Sequence, residues 1–301
     1  MITAETIADV RAACDDVRAR GGSVGLVPTM GSFHEGHRSL MRAARAAHDM
    51  VVVSLFVNPT QFSPTEDLDA YPRDLDADAA VAIAEGVDVL FCPSVDEMYP
   101  GGARTTVHVT ELTEGLCGAS RPGHFDGVTT IVAKLFSVVG PCTAYFGRKD
   151  AQQLAVVRRM ATDLDLPVRV VGCPLVREPD GLAMSSRNSY LSSDDRRRAT
   201  VLARSLHAAA DAVVSGERDA SAVRRVVRQT LASEPAIRVD YAEIVDAATL
   251  EPVDRIEHDT LIALAAFVGE TRLIDNLTIS FDSGAVQIDE GLCTTGTTEE
   301  E

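Results

Sequence analysis

At 301 residues the chain can bury a large core, and one large domain with one smaller domain is expected. The formal net charge of −17 and a pI near 4.8 argue against a nucleic-acid groove or an anionic membrane surface as its partner. No apolar run approaches the roughly 20 residues of a membrane span, and no signal-peptide pattern is present, so a cytoplasmic protein is expected. The six cysteines are scattered without a C-x-x-C pair, so free thiols are expected.

The first part of the chain predicts a strand, a turn and a helix that opens with two histidines. A helix over residues 3–20 precedes a short apolar strand over 24–27, and a turn at Gly31 leads into the second helix. His34 and His37 share one face of its first turn, where exposed N–H groups and the positive end of the helix dipole favour a phosphate. The alternatives are a surface pair or half of a zinc site, and a zinc site would need a third ligand that does not stand nearby in sequence.

The next segments predict a parallel sheet whose ligand-binding edge carries a glutamine. The apolar run over 50–57 is typical of a strand buried on both faces and completes a βαβ unit. Gln61 follows this strand, which puts it at the carboxyl edge where such sheets bind ligands. The acid-rich segment 67–78 is interpreted as a solvated loop and helix start, with a metal role for one carboxylate as the alternative. A helix over 81–85 and a third strand over 87–92 follow.

Two lysines stand out among the 28 basic residues. Residues 93–126 are irregular apart from a predicted strand over 105–110, and a helix over 128–139 then carries Lys134, whose role stays open. Lys149 follows a predicted strand over 143–146, at a strand-to-helix junction. Because lysine and arginine are not interchangeable, this position favours a function for Lys149 at the ligand edge.

The rest of the chain predicts a second domain. A helix over residues 150–164, with Asp150 as N-cap candidate, and a fifth strand over 168–172 complete the sheet domain. The later elements are two helices followed by three closely connected strands, predicted over 194–215, 219–233, 238–245, 260–268 and 273–280. The expected fold class is therefore α/β, with a Rossmann-like parallel sheet over 1–175, a smaller α+β lid domain over 176–281 and a disordered acidic tail over 282–301.

Several segments of the chain match a known family. They are Pro28-Thr29-Met30-Gly31, Phe56-Val57-Asn58-Pro59-Thr60-Gln61-Phe62, Tyr71-Pro72-Arg73, Arg121-Pro122-Gly123-His124-Phe125 and Met184-Ser185-Ser186-Arg187-Asn188. In this order, and up to about residue 280, the chain resembles the pantothenate synthetase (pantoate–β-alanine ligase) family of the HIGH-motif nucleotidylyltransferase superfamily. The H-x-G-H pattern alone would indicate only the superfamily.

The resemblance implies an ATP-dependent condensation of (R)-pantoate with β-alanine to pantothenate, a coenzyme A precursor, through pantoyl adenylate with release of AMP and pyrophosphate. It implies Mg²⁺ on the phosphates and a homodimer. The catalytic residues implied are His34, His37, Lys149 and Arg187. The other residues implied to bind ATP are Met30, Gly31, Gly147, Arg148, Asp150, Val176, Met184, Ser185 and Ser186. Gln61 and Gln153 are implied to bind substrate, and Asp78 is the candidate metal ligand.

The sequence departs from the family at Arg148 and Ala151, which puts the shape beside Lys149 in question. It also departs at Phe33, which is interpreted as a packing change. Two rival functions stay open. One is nucleotidyl transfer to a phosphorylated acceptor, which would need a basic acceptor pocket, and the other is a nucleotide-binding sensor without turnover.

Overall fold

The structure, a computed structural model, describes residues 1–64, 66–282 and 285–294. It forms two compact units, one of Met1–Glu114 with Arg121–Cys173 and the other of Gly115–Ser120 with the chain from Pro174. The sequence assigns residues 115–120 to the first domain, whereas they pack in the second unit, where Cys117 Sγ lies 3.2 Å from Tyr241 Oη. Within the described ranges, no helix has the length and apolar character needed to cross a membrane.

Strands and helices alternate as far as β6, after which helices precede consecutive strands. The strands are β1 (Ile2–Ala4), β2 (Val24–Thr29), β3 (Met50–Leu55), β4 (Val89–Phe91), β5 (Cys142–Gly147), β6 (Val168–Cys173), β7 (Val176–Arg177), β8 (Ile237–Asp246), β9 (Thr260–Val268), β10 (Thr271–Asp282), β11 (Ala285–Asp289) and β12 (Leu292–Cys293). The α-helices are α1 (Ile7–Ala19), α2 (Glu35–Ala47), α3 (Leu75–Ala84), α4 (Val95–Met98), α5 (Leu116–Ser120), α6 (His124–Val139), α7 (Ala151–Asp163), α8 (Ser193–Ala199), α9 (Val201–Val214) and α10 (Ala220–Ala232). Short 3-10 helices cover Pro59–Gln61, Arg148–Asp150 and Ser186–Tyr190.

The first unit is built on a six-stranded sheet in the order β1-β4-β3-β2-β5-β6, and its neighbouring strands are parallel. Strands β2, β3 and β4 are mostly buried, as apolar runs in a parallel sheet require. The predicted Rossmann-like sheet is confirmed. Because β3 pairs with one edge of β2 and β5 with the other, the chain order reverses at β2. The carboxyl ends of β2 and β5 therefore open the crevice where such sheets bind ligands.

Two predictions in this unit are wrong. The predicted strand over 105–110 does not form, because Val107 N donates to Thr130 Oγ1 and Val107 O accepts from Thr129 Oγ1, so side chains of α6 take the place of strand partners. The first helix begins only at Ile7, because β1 pairs in parallel with β4 at the edge of the sheet.

The second unit contains an antiparallel sheet in the order β11-β10-β9-β8, so the predicted α+β character is confirmed. Helices α9 and α10 pack on it through one apolar core. The predicted helix over 194–215 is two helices that meet at Thr200. There Thr200 Oγ1 donates to Arg197 O, a local bond that competes with the helical ladder.

A buried ion pair joins β7 to β10. Arg177 is 1% exposed, and its Nη1 and Nη2 lie 2.7 and 3.0 Å from the two carboxylate oxygens of Asp275. The guanidinium also donates to the carbonyl oxygens of Gly181 and Glu290. Partners on several segments therefore compensate the cost of burying this charge.

The tail predicted to be disordered from residue 282 forms strands within the described residues. Strand β11 pairs with β10, and β12 pairs in parallel with β7. The prediction of disorder is wrong for these segments because tertiary pairing supplies hydrogen-bond partners that polar composition does not reveal. Residues 283, 284 and 295–301 lie outside the described residues.

Candidate functional site

The turn between β2 and α2 presents both histidines. Gly31 and Ser32 have φ angles of +90° and +53°, which bend the chain sharply after the strand. His34 is the N-cap of α2, and its Nδ1 accepts a hydrogen bond from Gly36 N at 3.1 Å. His37 Nδ1 in turn accepts from His34 N at 3.4 Å, which completes a reciprocal cap. The ring centroids lie 4.1 Å apart, so the predicted pair meets at the helix N-terminus.

These bonds decide which ring nitrogen carries the proton. Because each Nδ1 accepts from a backbone N–H, the neutral rings of His34 and His37 carry hydrogen on Nε2. Burial, and then the charges of His34 and Lys149, hold the pKa of His37 well below its usual range. At neutral pH His37 is therefore a neutral Nε2–H donor. Phe33, a departure from the family pattern, packs with its ring centroid 5.6 Å from that of His37.

Asp78 on α3 holds the same turn. Its Oδ2 accepts from Ser32 N at 2.8 Å and its Oδ1 accepts from Phe33 N at 2.7 Å. Burial raises the pKa of this carboxyl, although both N–H donors favour its charged form. A Cβ on Gly31 would lie 2.8 Å from Asp78 Oδ2, so a glycine there leaves room for the carboxylate. The sequence suggests a metal ligand, whereas both carboxylate oxygens serve the backbone of the histidine turn.

The end of β5 carries the lysine. Gly147 ends the strand, and Arg148–Asp150 form a 3-10 helix before α7. Lys149 Nζ lies 3.7 Å from Asp150 Oδ2, and its charge contributes to the lowered pKa of His37. The strand order explains this proximity, because β5 adjoins β2. Asp150 is the N-cap residue of α7, as predicted, but its side chain makes no cap hydrogen bond. Its carboxylate lies near Lys149 instead.

Gln61 lies in the 3-10 helix after β3, and its amide is held at both ends. Its Nε2 donates to Met30 Sδ at 3.1 Å, and its Oε1 accepts from Asn58 Nδ2 at 3.2 Å. Asn58 is buried, donates to Gly127 O and accepts from Tyr99 Oη at 2.8 Å. Sequence reasoning names Gln61 and Met30 as site residues but misses Asn58 and Tyr99. The Asn-Pro pair at the strand end is the signal that could have identified Asn58.

The two glutamines at the start of α7 have different environments. Gln152 is buried, and its Nε2 donates to Leu112 O at 2.9 Å. Gln153 is partly exposed. The exposure is compatible with the substrate-binding role that the sequence predicts for Gln153, whereas Gln152 supports the irregular segment that precedes α6.

The other predicted nucleotide residues belong to the second unit. Met184 N donates to Val176 O at 2.9 Å, so these two residues close one loop. Ser185 caps the following 3-10 helix, with its Oγ accepting from Arg187 N at 3.3 Å. Met184, Ser185, Ser186 and Arg187 are partly exposed. The loop therefore offers hydroxyl and guanidinium groups of the kind that bind phosphate.

The described residues bear on the zinc alternative for the two histidines. In the part of the chain that the structure describes, no group of three or more His, Cys, Asp or Glu side chains is arranged to hold a metal ion. The zinc alternative for His34 and His37 thus lacks its third ligand there. The first unit instead presents imidazole N–H groups, an ammonium and a carboxamide near the ends of β2, β5 and β3. Such groups can stabilise charge on phosphate oxygens and orient a small polar acceptor.

Comparisons with known proteins agree with this arrangement. A family profile described as "Pantoate-beta-alanine ligase" matches residues 2–278. Pantothenate synthetase from Moorella thermoacetica is 54% identical over 275 residues, covering 91% of this chain and 97% of the relative. The crystal structure of pantothenate synthetase from Thermus thermophilus superposes with a TM-score of 0.87 at 48% identity, covering 92% of this chain and 98% of that one. A pantoate-beta-alanine ligase from Francisella tularensis, complexed with beta-gamma ATP and beta-alanine, has a TM-score of 0.74 at 32% identity and covers 92% of this chain and 97% of its own.

Proposed function

This chain belongs to the pantoate–β-alanine ligase family, and from that premise we propose how the residues at its strand ends carry out the ligation. The reaction is the ATP-dependent condensation of (R)-pantoate with β-alanine to pantothenate. A carboxylate oxygen of pantoate attacks the α-phosphorus of ATP, the bond from that phosphorus to the bridging oxygen breaks, and pyrophosphate leaves. The β-alanine amine then attacks the acyl carbon of pantoyl adenylate, loses a proton and displaces AMP.

The charge-stabilising role in the first step is assigned to His34, His37 and Lys149. A carboxylate nucleophile needs no general base, so catalysis depends on donors that are oriented before the reaction. The observation that supports this assignment is the pair of Nδ1 acceptor bonds, which leaves Nε2–H on both imidazoles beside the Lys149 ammonium. A neutral His37 ring can donate to the phosphates without adding a second positive charge beside Lys149.

Substrate binding is assigned to the side-chain amides of Gln61 and Gln153. A carboxamide both donates and accepts, so it suits the hydroxyl and carboxylate groups of pantoate, and Gln61 is also assigned to the β-alanine side. The bonds from Asn58 and to Met30 support this role, because they fix the Gln61 amide in one orientation.

The assignment of residues to the nucleotide also rests on membership of the family. Arg187 is assigned to the phosphates with Ser185 and Ser186, and its fixed fork of donors suits phosphate oxygens. The residues assigned to frame the nucleotide are Met30, Gly31, Gly147, Arg148, Asp150, Val176 and Met184. Mg²⁺ enters as part of the MgATP substrate, held mainly by phosphate oxygens, because Asp78 already serves the backbone.

A cytoplasmic homodimer is the remaining part of the proposal, and it rests on the family premise. Light scattering of the purified chain tests the oligomeric state, and a mass near twice 32.1 kDa is expected.

The half-reaction is tested by isotope exchange between ATP and pyrophosphate with pantoate present and β-alanine absent. Exchange that requires pantoate is expected, because adenylate formation needs only the first acceptor. β-Alanine alone is the control and should give none. An absence of pantoate-dependent exchange, with ATP binding measured separately, would refute the stepwise mechanism.

A further inference from the structure

The segment from Arg121 to His124 has no role in the assignments above, yet it contacts the backbone of Gln61. His124 Nδ1 lies 2.8 Å from Gln61 O, and Arg121 Nη2 lies 3.4 Å from the same oxygen. Arg121 Nη1 lies 2.9 Å from His124 Nε2. Arg121, just before α6, and His124, at its first residue, therefore meet at the backbone carbonyl of Gln61. The side-chain amide of the same residue is the one assigned to pantoate.

Arg121 determines which nitrogen of His124 carries the proton. A guanidinium can only donate, so His124 Nε2 must accept from Arg121 Nη1. The single ring proton is then on Nδ1, where it donates to Gln61 O. Burial, and then the charge of Arg121, lowers the pKa of His124 to about 4. The ring therefore stays in this form at neutral pH.

Glu66 holds the guanidinium in place. Its Oε1 and Oε2 accept from Arg121 Nε and Nη2 at 2.5 and 3.1 Å, and Oε2 also accepts from Ser63 N at 2.8 Å. On the other side, a Cβ on Gly127 would lie 2.6 Å from Gln61 N, so the glycine lets α6 pack directly against this backbone. The backbone of Gln61 is thus held by side chains and by close packing.

We propose that Glu66, Arg121 and His124 form a carbonyl clamp, a set of positioning residues that fixes the backbone of Gln61 and so presents its amide to pantoate. The inference rests on the proposed role of Gln61 as a pantoate ligand. Asn58 sets the rotation of the Gln61 amide, and the clamp sets the position of the residue that carries it. Because the clamp acts on Gln61, its loss weakens pantoate binding more than ATP binding.

Two variants of similar polarity separate the two nitrogens of His124. Asparagine can place an N–H near the position of Nδ1 and keep the bond to Gln61 O, whereas glutamine can reach the position of Nε2 and keep only the bond with Arg121. We expect His124→Gln to raise the KM for pantoate about tenfold, because the carbonyl of Gln61 loses its main donor. His124→Asn should stay within about threefold. The KM for ATP should change by less than about twofold in both variants.

The pathway through Gln61 is tested by adding His124→Gln to a Gln61→Ala background, with KM values from pantoate-dependent ATP–pyrophosphate exchange and folding checked by thermal melting. In that background His124→Gln should have little further effect, because the amide that it positions is gone. Equal KM shifts in His124→Gln and His124→Asn, or an undiminished shift in the Gln61→Ala background, would overturn the clamp. An unchanged pantoate KM in Gln61→Ala alone would instead refute the proposed role of Gln61.

Discussion

Replacing Asp275 by alanine should destabilise the second unit strongly. The carboxylate is 2% exposed and makes two short bonds to Arg177, which is 1% exposed. The substitution leaves the guanidinium buried with only carbonyl partners, and breaking such a pair costs about 3–5 kcal/mol. Solvent screening does not reduce this figure, because neither group reaches water.

Urea unfolding followed by circular dichroism measures this loss. The matched control is Asp163→Ala, which breaks the exposed pair between Arg159 and Asp163 and should cost less than about 1 kcal/mol. A second variant, Arg177→Met with Asp275→Leu, removes both charges and should recover much of the loss. If Asp275→Ala and Asp163→Ala destabilised the protein equally, the argument from buried charge would be refuted.

Three further predictions concern the site. His37→Ala should lower kcat about 10²- to 10³-fold, because a preoriented donor to the phosphates is lost; steady-state kinetics measures this, and a change within about twofold would contradict the assignment. Lys149→Arg should lower kcat about tenfold or more although the charge is kept, because a planar guanidinium does not replace a compact ammonium; a near-normal rate in the same assay would make the lysine incidental. Between pH 6.5 and about 4 the unfolded chain protonates His124 while the native chain does not, so acidification should reduce the free energy of unfolding by up to about 3 kcal/mol. Denaturant titrations across this range should show a smaller loss in His124→Asn, and an identical loss would contradict the lowered pKa.

Much of the histidine turn could be predicted from local sequence. The apolar run before Gly31 and the helical spacing after His37 define a strand, a turn and a helix within a few residues of the observed bounds. The role of Asp78 could not be predicted in this way, because its partners Ser32 and Phe33 lie far from it in the chain. A carboxylate in an acid-rich segment gives no local indication that it will bind backbone N–H groups.

The sequence by itself determined the alternation of strands and helices, the parallel character of the first sheet and the residue types at its ligand edge. These follow from periodicity and from local turn chemistry, which act over a few residues. The tertiary structure alone decided that β5 pairs with β2, which brings Lys149 to the histidines. It also decided that β11 and β12 form strands in a polar tail, and that Arg121 and His124 hold the carbonyl of Gln61. Each depends on partners distant in the chain, and their pairing energy does not appear in any local pattern.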